Sequence, residues 1–353
     1  MYDPLLGGVR EAGGGFAVAE KRLLKVTPLL MTNTRSNNFW LSFRVLLTWR
    51  ELMQILLKFI TGLMARIPLS KALAFGAILG WIFGSVFRHH RRDAFDALRK
   101  SYPEKNEREL RVIVNRMYRN LGMNLVEIMR LSGGSLEEFS KRITINNAEI
   151  GDQALQRGKG AFILTAHFGN WDLLGMFTVK LGYKLTIISK DLKNKKVNAM
   201  WMLLREKFGV GIIPSHNAAR LALKALKRNE LLGFILDQNR PRDQGIFVDF
   251  FGRPACTSPG LAVLSAQAQA PVVPVFIHRT PDGNHVIQVM PLLEPPPDRE
   301  PETVRKATQE YTKIIEDQIR QYPDQWIWLH RRWKTRPLSD VPRSCPPMPE
   351  LRR

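Results

Sequence analysis

The segment AFILTAHFGNWD, residues 161–172, joins an uncharged apolar run to an abrupt series of polar residues. The run has the length of a short strand, and a continuous apolar pattern is typical of a strand covered on both faces of a sheet. His167 follows the run directly, Gly169 permits a sharp bend, and Asn170 is a suitable helix N-cap. The segment therefore predicts a buried strand that ends at His167 and turns into a helix.

Apolar runs and helical patterns alternate along the chain after the glycine pair at 133–134. They predict strands at residues 161–166, 184–189, 232–236, 272–277 and 285–290. They predict helices at residues 173–181, 195–208, 217–228, 258–269 and 302–321. Strands that alternate with helices form parallel sheets. The expected fold class is α/β, a layered and largely parallel sheet flanked by helices, with an amino-terminal membrane-associated helical segment.

Two apolar segments precede this α/β pattern. Between Phe39 and Ile67, polar residues recur every seven positions, which predicts an amphipathic helix. Residues 72–87 carry no charge and are followed at once by a basic cluster, residues 88–92. Sixteen residues are fewer than the roughly 18–20 that span a bilayer, but the basic flank is typical of a cytoplasmic membrane surface. We expect this region to embed in or span a membrane, with an ordinary buried helix as the alternative.

Composition divides the chain into four expected parts. Residues 1–36 lack the apolar core of a secretory signal and predict a disordered extension. Residues 37–92 form the expected membrane-associated helical anchor, and residues 93–336 the α/β domain. The proline-rich residues 337–353 predict a disordered tail.

The chain of 353 residues has a net charge of +21, which indicates a negatively charged partner. Nucleic acid, anionic lipid and an acidic carrier protein all fit this charge. The uncharged segment 72–87 and the lack of a nucleic-acid recognition motif argue against nucleic acid. The two cysteines, Cys256 and Cys345, have no metal-like spacing, so no metal site or disulfide framework is expected.

His167 is the strongest candidate for a catalytic group. A carboxylate, Asp172, follows five residues later, and no other histidine of this chain has an acidic residue at that spacing. A histidine beside a carboxylate can remove a proton from a hydroxyl, because its pKa is near neutrality and the carboxylate fixes the tautomer. We predict His167 and Asp172 as the catalytic residues. A chance pairing is the alternative.

Two further segments carry candidate functional residues. The apolar run at 231–236 ends in Asp237, Gln238 and Asn239, and GIFVDFFGRPACTSPG follows at 245–260. A strand-end aspartate and a glycine-bearing loop suit a polar head group or phosphate, although an ordinary loop has the same composition. The segment WIWLHRRWK, 326–334, suits a membrane–water interface or stacked bases. A packed core-edge strand is its alternative.

These motifs in this order resemble the bacterial lipid A late acyltransferases, the lauroyl/myristoyl transferase branch of the lysophospholipid acyltransferase superfamily. SYPEKN at 101–106 and the helix from Asn120 to Glu127 belong to the resemblance, which covers about residues 39–336. It implies transfer of a fatty acyl chain to a hydroxyl of a lipid A precursor or related membrane lipid. The implied donor is acyl carrier protein or acyl-coenzyme A, no cofactor is implied, and the implied location is the cytoplasmic face of the inner membrane.

By the same resemblance, His167 is the base, Asp172 its orienting partner, and Asp237 belongs to the acceptor or transition-state side. The expected substrate-binding residues are Lys190, Arg205, Asp237, Gln238, Arg253, Thr257 and Gly260. No G-x-S-x-G elbow is present, so direct attack by an activated lipid hydroxyl is expected. Lys193, Lys195 and Lys196 are the expected patch for an acidic carrier protein.

The sequence departs from the family pattern at two positions. Lys190 stands where this branch commonly has arginine, and Asp172 stands where many members have glutamate. The lipid acceptor therefore stays open, and a phospholipid or aminolipid acyltransferase is the alternative within the superfamily. A non-catalytic basic membrane-binding protein is the alternative outside it.

Overall fold

The computed structural model describes residues 49–88, 90–133, 136–189, 195–214 and 218–338. The described helices are α1 (Trp49–Arg66), α2 (Leu69–Ser85), α3 (Arg91–Ser101), α4 (Glu107–Gly133), α5 (Leu136–Ser140), α6 (Glu149–Gln156), α7 (Trp171–Lys180), α8 (Lys195–Lys207), α9 (Ala218–Lys227), α10 (Gly260–Ala268) and α11 (Pro301–Gln321). The described strands are β1 (Ile143–Asn146), β2 (Ala161–Thr165), β3 (Leu185–Ser189), β4 (Gly211–Pro214), β5 (Leu231–Ile235), β6 (Ile246–Phe250), β7 (Arg253–Thr257), β8 (Val272–Arg279) and β9 (His285–Val289). Short 3₁₀ turns lie at Arg242–Gln244 and Pro323–Gln325.

One mostly parallel sheet forms the centre of the α/β region. Its strand order is β1-β9-β8-β2-β5-β3-β4, and only the β8–β9 pair is antiparallel. Strands β6 and β7 form a separate antiparallel hairpin. The prediction of a largely parallel sheet flanked by helices is confirmed, and each strand and helix predicted between residues 161 and 321 begins and ends within two residues of an observed one. The sequence did not predict β1, β4 or the β6–β7 hairpin.

The central strand β2 is covered on both faces, as its apolar sequence predicted. Phe162 and Leu164 pack into the cluster that includes α4, α10 and α11, whereas Ala161 packs into the cluster that includes α6 and α7. Strand β2 pairs in parallel with β5, in a register that runs from Ala161 opposite Leu231 to Thr165 opposite Ile235. The residues that follow these two strands therefore emerge side by side at the same edge of the sheet.

Helix α2 packs on α4 through small residues. Ala72, Gly76, Gly80 and Gly84 are buried along one stripe of α2. A Cβ atom on Gly80 would overlap the Tyr118 carbonyl, and one on Gly122 of α4 would overlap the Gly76 carbonyl. Two large apolar residues of α2, Leu69 and Leu73, are buried. Five others are exposed, namely Phe75, Ile78, Leu79, Trp81 and Phe83.

Residues 1–48 and 339–353 lie outside the described residues, which removes the whole predicted extension at 1–36 and all but the first two residues of the predicted tail at 337–353. Among the described helices, none combines the length and the apolar character needed to cross a membrane.

The close α2–α4 contact predicts a large difference between two glycine substitutions. Gly122→Ala forces backbone atoms of two helices apart and is expected to lower the free energy of unfolding by about 1–3 kcal/mol. Gly62→Ala in α1 meets only the end of the Arg66 side chain, so the higher helix propensity of alanine should leave stability unchanged or raised. Urea unfolding of both variants measures the difference. Equal stability of the two would contradict the observed packing.

Candidate active site

The turn between β2 and α7 places His167 at the edge of the sheet. Gly169 has a φ of +56°, and a Cβ there would overlap the carbonyl oxygen of Ile277, so only glycine fits. Asn170 is the N-cap of α7, and its Oδ1 accepts a hydrogen bond from the Leu173 amide at 3.2 Å. The predicted bend and cap are confirmed.

His167 hydrogen-bonds to Asp237, which follows the neighbouring strand β5. The His167 Nδ1 lies 2.8 Å from Asp237 Oδ1, and the His167 backbone amide donates to Asp237 Oδ2 at 2.9 Å. The Trp326 indole N–H donates to the same Oδ2 at 2.7 Å. Because an ionised carboxylate only accepts hydrogen bonds, Nδ1 carries the proton and Nε2 keeps its lone pair. The Gln238 amide nitrogen lies 3.4 Å from Nε2.

The electrostatics of this pair suit a base. Burial alone would lower the pKa of His167, but the charge and hydrogen bond of Asp237, aided by the charge of Asp172, outweigh it and raise the pKa above the ordinary value. Burial would raise the pKa of Asp237, but the charge of His167 and the hydrogen bonds from His167 and Trp326 hold it far below its usual range. The His167 side chain is 24% exposed and that of Asp237 is 3% exposed. A substrate can therefore reach the imidazole, while its carboxylate partner is shielded.

Asp172, the expected orienting partner, has a different hydrogen-bond partner in the structure. Its Oδ1 accepts from Arg205 Nε at 3.0 Å, from Arg205 Nη2 at 2.8 Å and from the Trp201 indole at 3.3 Å. Arg205 also donates to Ser189 at 3.3 Å. Asp172 Oδ2 is buried without a hydrogen-bond partner. The Asp172 charge still acts on His167, but the carboxylate that orients the imidazole is Asp237.

The remaining expected site residues that the structure describes fall into a group that surrounds His167 and a group that has no hydrogen bond to it. Arg205, Asp237 and Gln238 lie around His167, whereas no described hydrogen bond joins Arg253, Thr257 or Gly260 to it. Thr257 is fully buried and bonds to Ala255 and Arg332, and Gly260 opens α10. Lys190 and Lys193 lie outside the described residues, and Lys195 opens α8 with an exposed side chain.

The segment 326–334 forms no strand and packs behind the site. Trp326 and Trp328 are buried, so the packing alternative describes them better than a membrane interface. The Ile327 amide donates to the His167 carbonyl at 3.2 Å, and the Asn239 amide donates to His330 Nε2 at 3.0 Å. Arg332 is fully buried and donates to Cys256 O at 3.0 Å, to Gln238 O at 3.5 Å and to Thr257 Oγ1. The segment thus holds the loop after β2 and the loop after β5 together, a role that its composition did not reveal.

A buried ionic cluster lies beneath the His167 turn and was also missed. Glu127 of α4 accepts from Arg279 Nη1 at 2.5 Å, pairs with His285 Nε2 at 2.9 Å and accepts from Asn170 at 2.8 Å. Asn124 donates to the Gly169 carbonyl at 2.6 Å. Burial would raise the pKa of Glu127, but the charges of His285 and Arg279 lower it to about 2. The described residues contain no group of three or more side chains arranged to hold a metal ion.

Comparison with known proteins identifies the family of the chain. Residues 37–335 match the family described as bacterial lipid A biosynthesis acyltransferase. A lipid A biosynthesis acyltransferase of Haemophilus influenzae is 24% identical over 259 residues, 73% of this chain and 80% of the relative. The lipid A biosynthesis myristoyltransferase of Escherichia coli is 23% identical over 266 residues, 75% of this chain and 81% of the relative.

A third relative is named for a different lipid. The phosphatidylinositol mannoside acyltransferase of Mycobacterium tuberculosis is 26% identical over 224 residues, 62% of this chain and 68% of the relative. The family match covers most of the chain, from the first described helix to the segment behind the catalytic loops. The chain belongs to the bacterial lipid A biosynthesis acyltransferase family.

Proposed function

We propose that this enzyme is a membrane-associated O-acyltransferase that moves a fatty acyl chain from an acyl thioester to a hydroxyl of a lipid A precursor or related membrane lipid. The observation that carries the proposal is the His167–Asp237 pair, in which Asp237 holds the proton on Nδ1 and Nε2 faces a partly open site. The family match and the relatives named for lipid A biosynthesis support the acceptor class.

In the proposed reaction, His167 Nε2 takes the proton of the acceptor hydroxyl as its oxygen attacks the thioester carbonyl carbon. The tetrahedral intermediate then breaks its C–S bond, and the departing thiolate takes the proton back from His167. Asp237 stays ionised and stabilises the imidazolium that forms between the two steps. No protein nucleophile is needed, because the acceptor oxygen itself forms the new ester.

Asp172 and Arg205 have a supporting part in this proposal. The charge of Arg205 acts on His167, so this cation lies close to the reacting atoms. A cation held there by Asp172 suits the negative charge that develops on the thioester oxygen. Apolar side chains of β2, β3, β5 and α7 line a small cavity beside the ion pair, and the low polarity strengthens the interaction of the two charges.

The membrane part of the proposal rests on α1 and α2. Each helix exposes large apolar side chains, including Phe59 and Leu63 on α1 and Ile78 and Trp81 on α2. Large apolar groups on the outside and small ones on the inside are the reverse of a water-soluble helix pair. The net charge of +21 adds attraction to anionic lipid. We place the enzyme on the cytoplasmic face of the inner membrane.

The first activity prediction concerns His167→Ala. Loss of the base should lower the rate of acyl transfer by about 10²–10⁴, while the partly exposed position should leave the fold intact. Turnover of an acyl thioester with a membrane-lipid acceptor measures the effect, and thermal unfolding checks the fold. A folded His167→Ala enzyme with wild-type turnover would refute the assignment.

The second prediction uses the raised pKa of His167. The base must be neutral, so the acidic limb of the kcat/KM profile should lie above the ordinary histidine value. Asp237→Asn removes the main charge that raises this pKa, so it should move the limb to lower pH and reduce the rate on the order of 10³–10⁴. Asp172→Glu, which keeps the charge, is the control and should leave the limb in place. An unchanged limb in Asp237→Asn would contradict the pairing.

The third prediction tests the outward apolar face. Ile78→Glu combined with Trp81→Glu should markedly reduce flotation with vesicles that contain anionic lipid, because charges replace the apolar groups that enter the bilayer. Leu181→Glu replaces an exposed apolar residue outside α1 and α2 and should float like the wild type. Wild-type flotation of the double variant would place the membrane contact elsewhere.

A further inference from the structure

A second cavity lies beside the catalytic loops, between α3, β7 and the segment that follows His330. Its volume is about 470 Å³. The described lining contains two carboxylates, Asp93 and Asp96, and a larger number of cations, which are Lys100, Arg253, Arg331, Arg332, Lys334 and Arg336. The wall is therefore strongly positive.

The two carboxylates in this wall already have partners. Asp93 accepts from His90 at 2.7 Å and from Arg331 at 3.1 Å, and Asp96 pairs with Arg99 at 3.4 Å. Among the described residues, Lys100, Arg253, Lys334 and Arg336 form no ion pair. Their charges are thus left for a bound anion.

Arg253 is the best-placed of these cations. Its guanidinium lies 3.5 Å from the centre of the Trp333 ring, and its Nη2 donates to Ser101 at 3.1 Å. Its Nε is buried without a hydrogen-bond partner. Burial lowers the pKa of Arg253 to about 10, and no carboxylate offsets this effect. A partly buried, unpaired guanidinium that stacking holds in place is costly to maintain without an anion.

Arg332 adds a second buried cation at this cavity. Its side chain is fully buried, and its Nη atoms donate to Cys256, Gln238 and Thr257. Among the described residues Arg332 forms no ion pair, so its charge adds to the positive charge of the wall.

His330 connects the cavity to the catalytic pair. It lines the cavity, and its Nε2 accepts from the amide of Asn239, two residues after Asp237. Burial lowers the pKa of His330, and the charges of both Asp237 and His167 also act on it. The cavity therefore lies next to the loop that carries Asp237.

We propose that this cavity binds a phosphate group of a substrate, with Arg253 as the main contact. This inference rests on the proposed acyl-transfer function, because the bound phosphate is part of a substrate of that reaction. Phosphate oxygens match the planar guanidinium and the surrounding cations. The phosphate comes either from the head group of the lipid acceptor or from the phosphopantetheine of the thioester donor.

Binding of inorganic pyrophosphate tests the site without reference to activity. The full chain in neutral detergent is titrated calorimetrically at constant ionic strength. Arg253→Gln should weaken binding by about 10–100-fold, the loss expected for charge-assisted hydrogen bonds. The double variant Lys334→Gln/Arg336→Gln changes two exposed residues and should also weaken pyrophosphate binding. It tests the site if Arg253→Gln fails to fold, which circular dichroism would reveal.

A matched control comes from a second basic cavity of about 480 Å³ that includes Lys159 and Lys227. These lysines precede β2 and β5, so they lie at the opposite edge of the sheet from His167. Lys159→Gln/Lys227→Gln should bind pyrophosphate like the wild type. Unchanged binding in the Arg253 and Lys334/Arg336 variants, or an equal loss in the control, would overturn the proposal.

Kinetics then identify the source of the phosphate. One arm compares an acceptor lipid with the same lipid lacking its phosphate, and the other compares acyl-coenzyme A with acyl-pantetheine. If the phosphate belongs to the acceptor, Arg253→Gln should raise KM about 10-fold or more for the phosphorylated lipid and leave KM for the phosphate-free lipid unchanged. If it belongs to the donor, the same rise should appear for acyl-coenzyme A and not for acyl-pantetheine. An equal effect on both members of both arms would overturn the proposal. If the wild-type enzyme transfers no acyl chain to any acceptor, the proposed function is refuted. The pyrophosphate titration then tests the phosphate site without reference to activity.

Discussion

The buried carboxylate of Glu127 is the constraint on which the position of the catalytic turn depends. A buried charge is stable only when it is paired and hydrogen-bonded, and removal of one partner leaves an uncompensated charge. Glu127 finds its partners in Arg279 and His285, on two strands, and in Asn170, the N-cap of α7. Helix α4, strands β8 and β9 and the start of α7 must therefore meet at one point. That point lies directly under the turn that carries His167, so an ionic cluster outside the reacting atoms fixes the backbone of the base.

The segment 326–334 imposes a second constraint, because it fixes the distance between the loop after β2 and the loop after β5. Trp326 donates to Asp237 while the next residue, Ile327, donates to the backbone of His167. Arg332 donates to the Gln238 carbonyl in the loop after β5 and to the Cys256 carbonyl in β7, which ties that loop to the hairpin. Each of these hydrogen bonds ends on a residue that also forms other hydrogen bonds, so none of these residues can shift without breaking more than one bond. The His167–Asp237 geometry is thus formed before a substrate arrives, which is the condition under which a general base acts efficiently.

The sequence correctly predicted the central strands and the position of His167 at a strand end, because both depend on local patterns: an apolar run, a glycine bend and a polar residue at the strand end. The partner of His167 depends on a pairing that no local pattern shows. Thr165 lies opposite Ile235 across parallel strands, so His167 and Asp237, each two residues further on, emerge together. The five-residue spacing favoured Asp172, which instead reaches Arg205 on α8. The tryptophans of 326–334 were ambiguous for a related reason, since composition does not distinguish a buried indole with an acceptor from an interfacial one.

The carboxylates of Asp237 and Asp172 both raise the pKa of His167, but their different surroundings make the two effects unequal. Asp237 accepts three hydrogen bonds, two of them from His167, and among the described residues it forms an ion pair with His167 alone. Asp172 shares its charge with Arg205, and the two have opposite effects on the pKa of His167, with Asp172 raising it and Arg205 lowering it. The charge and the hydrogen bond of Asp237 are the largest causes that raise the pKa of His167. In the proposed reaction Asp237 therefore sets the strength of the base, and the Asp172–Arg205 pair is left to act on the charge that develops on the substrate.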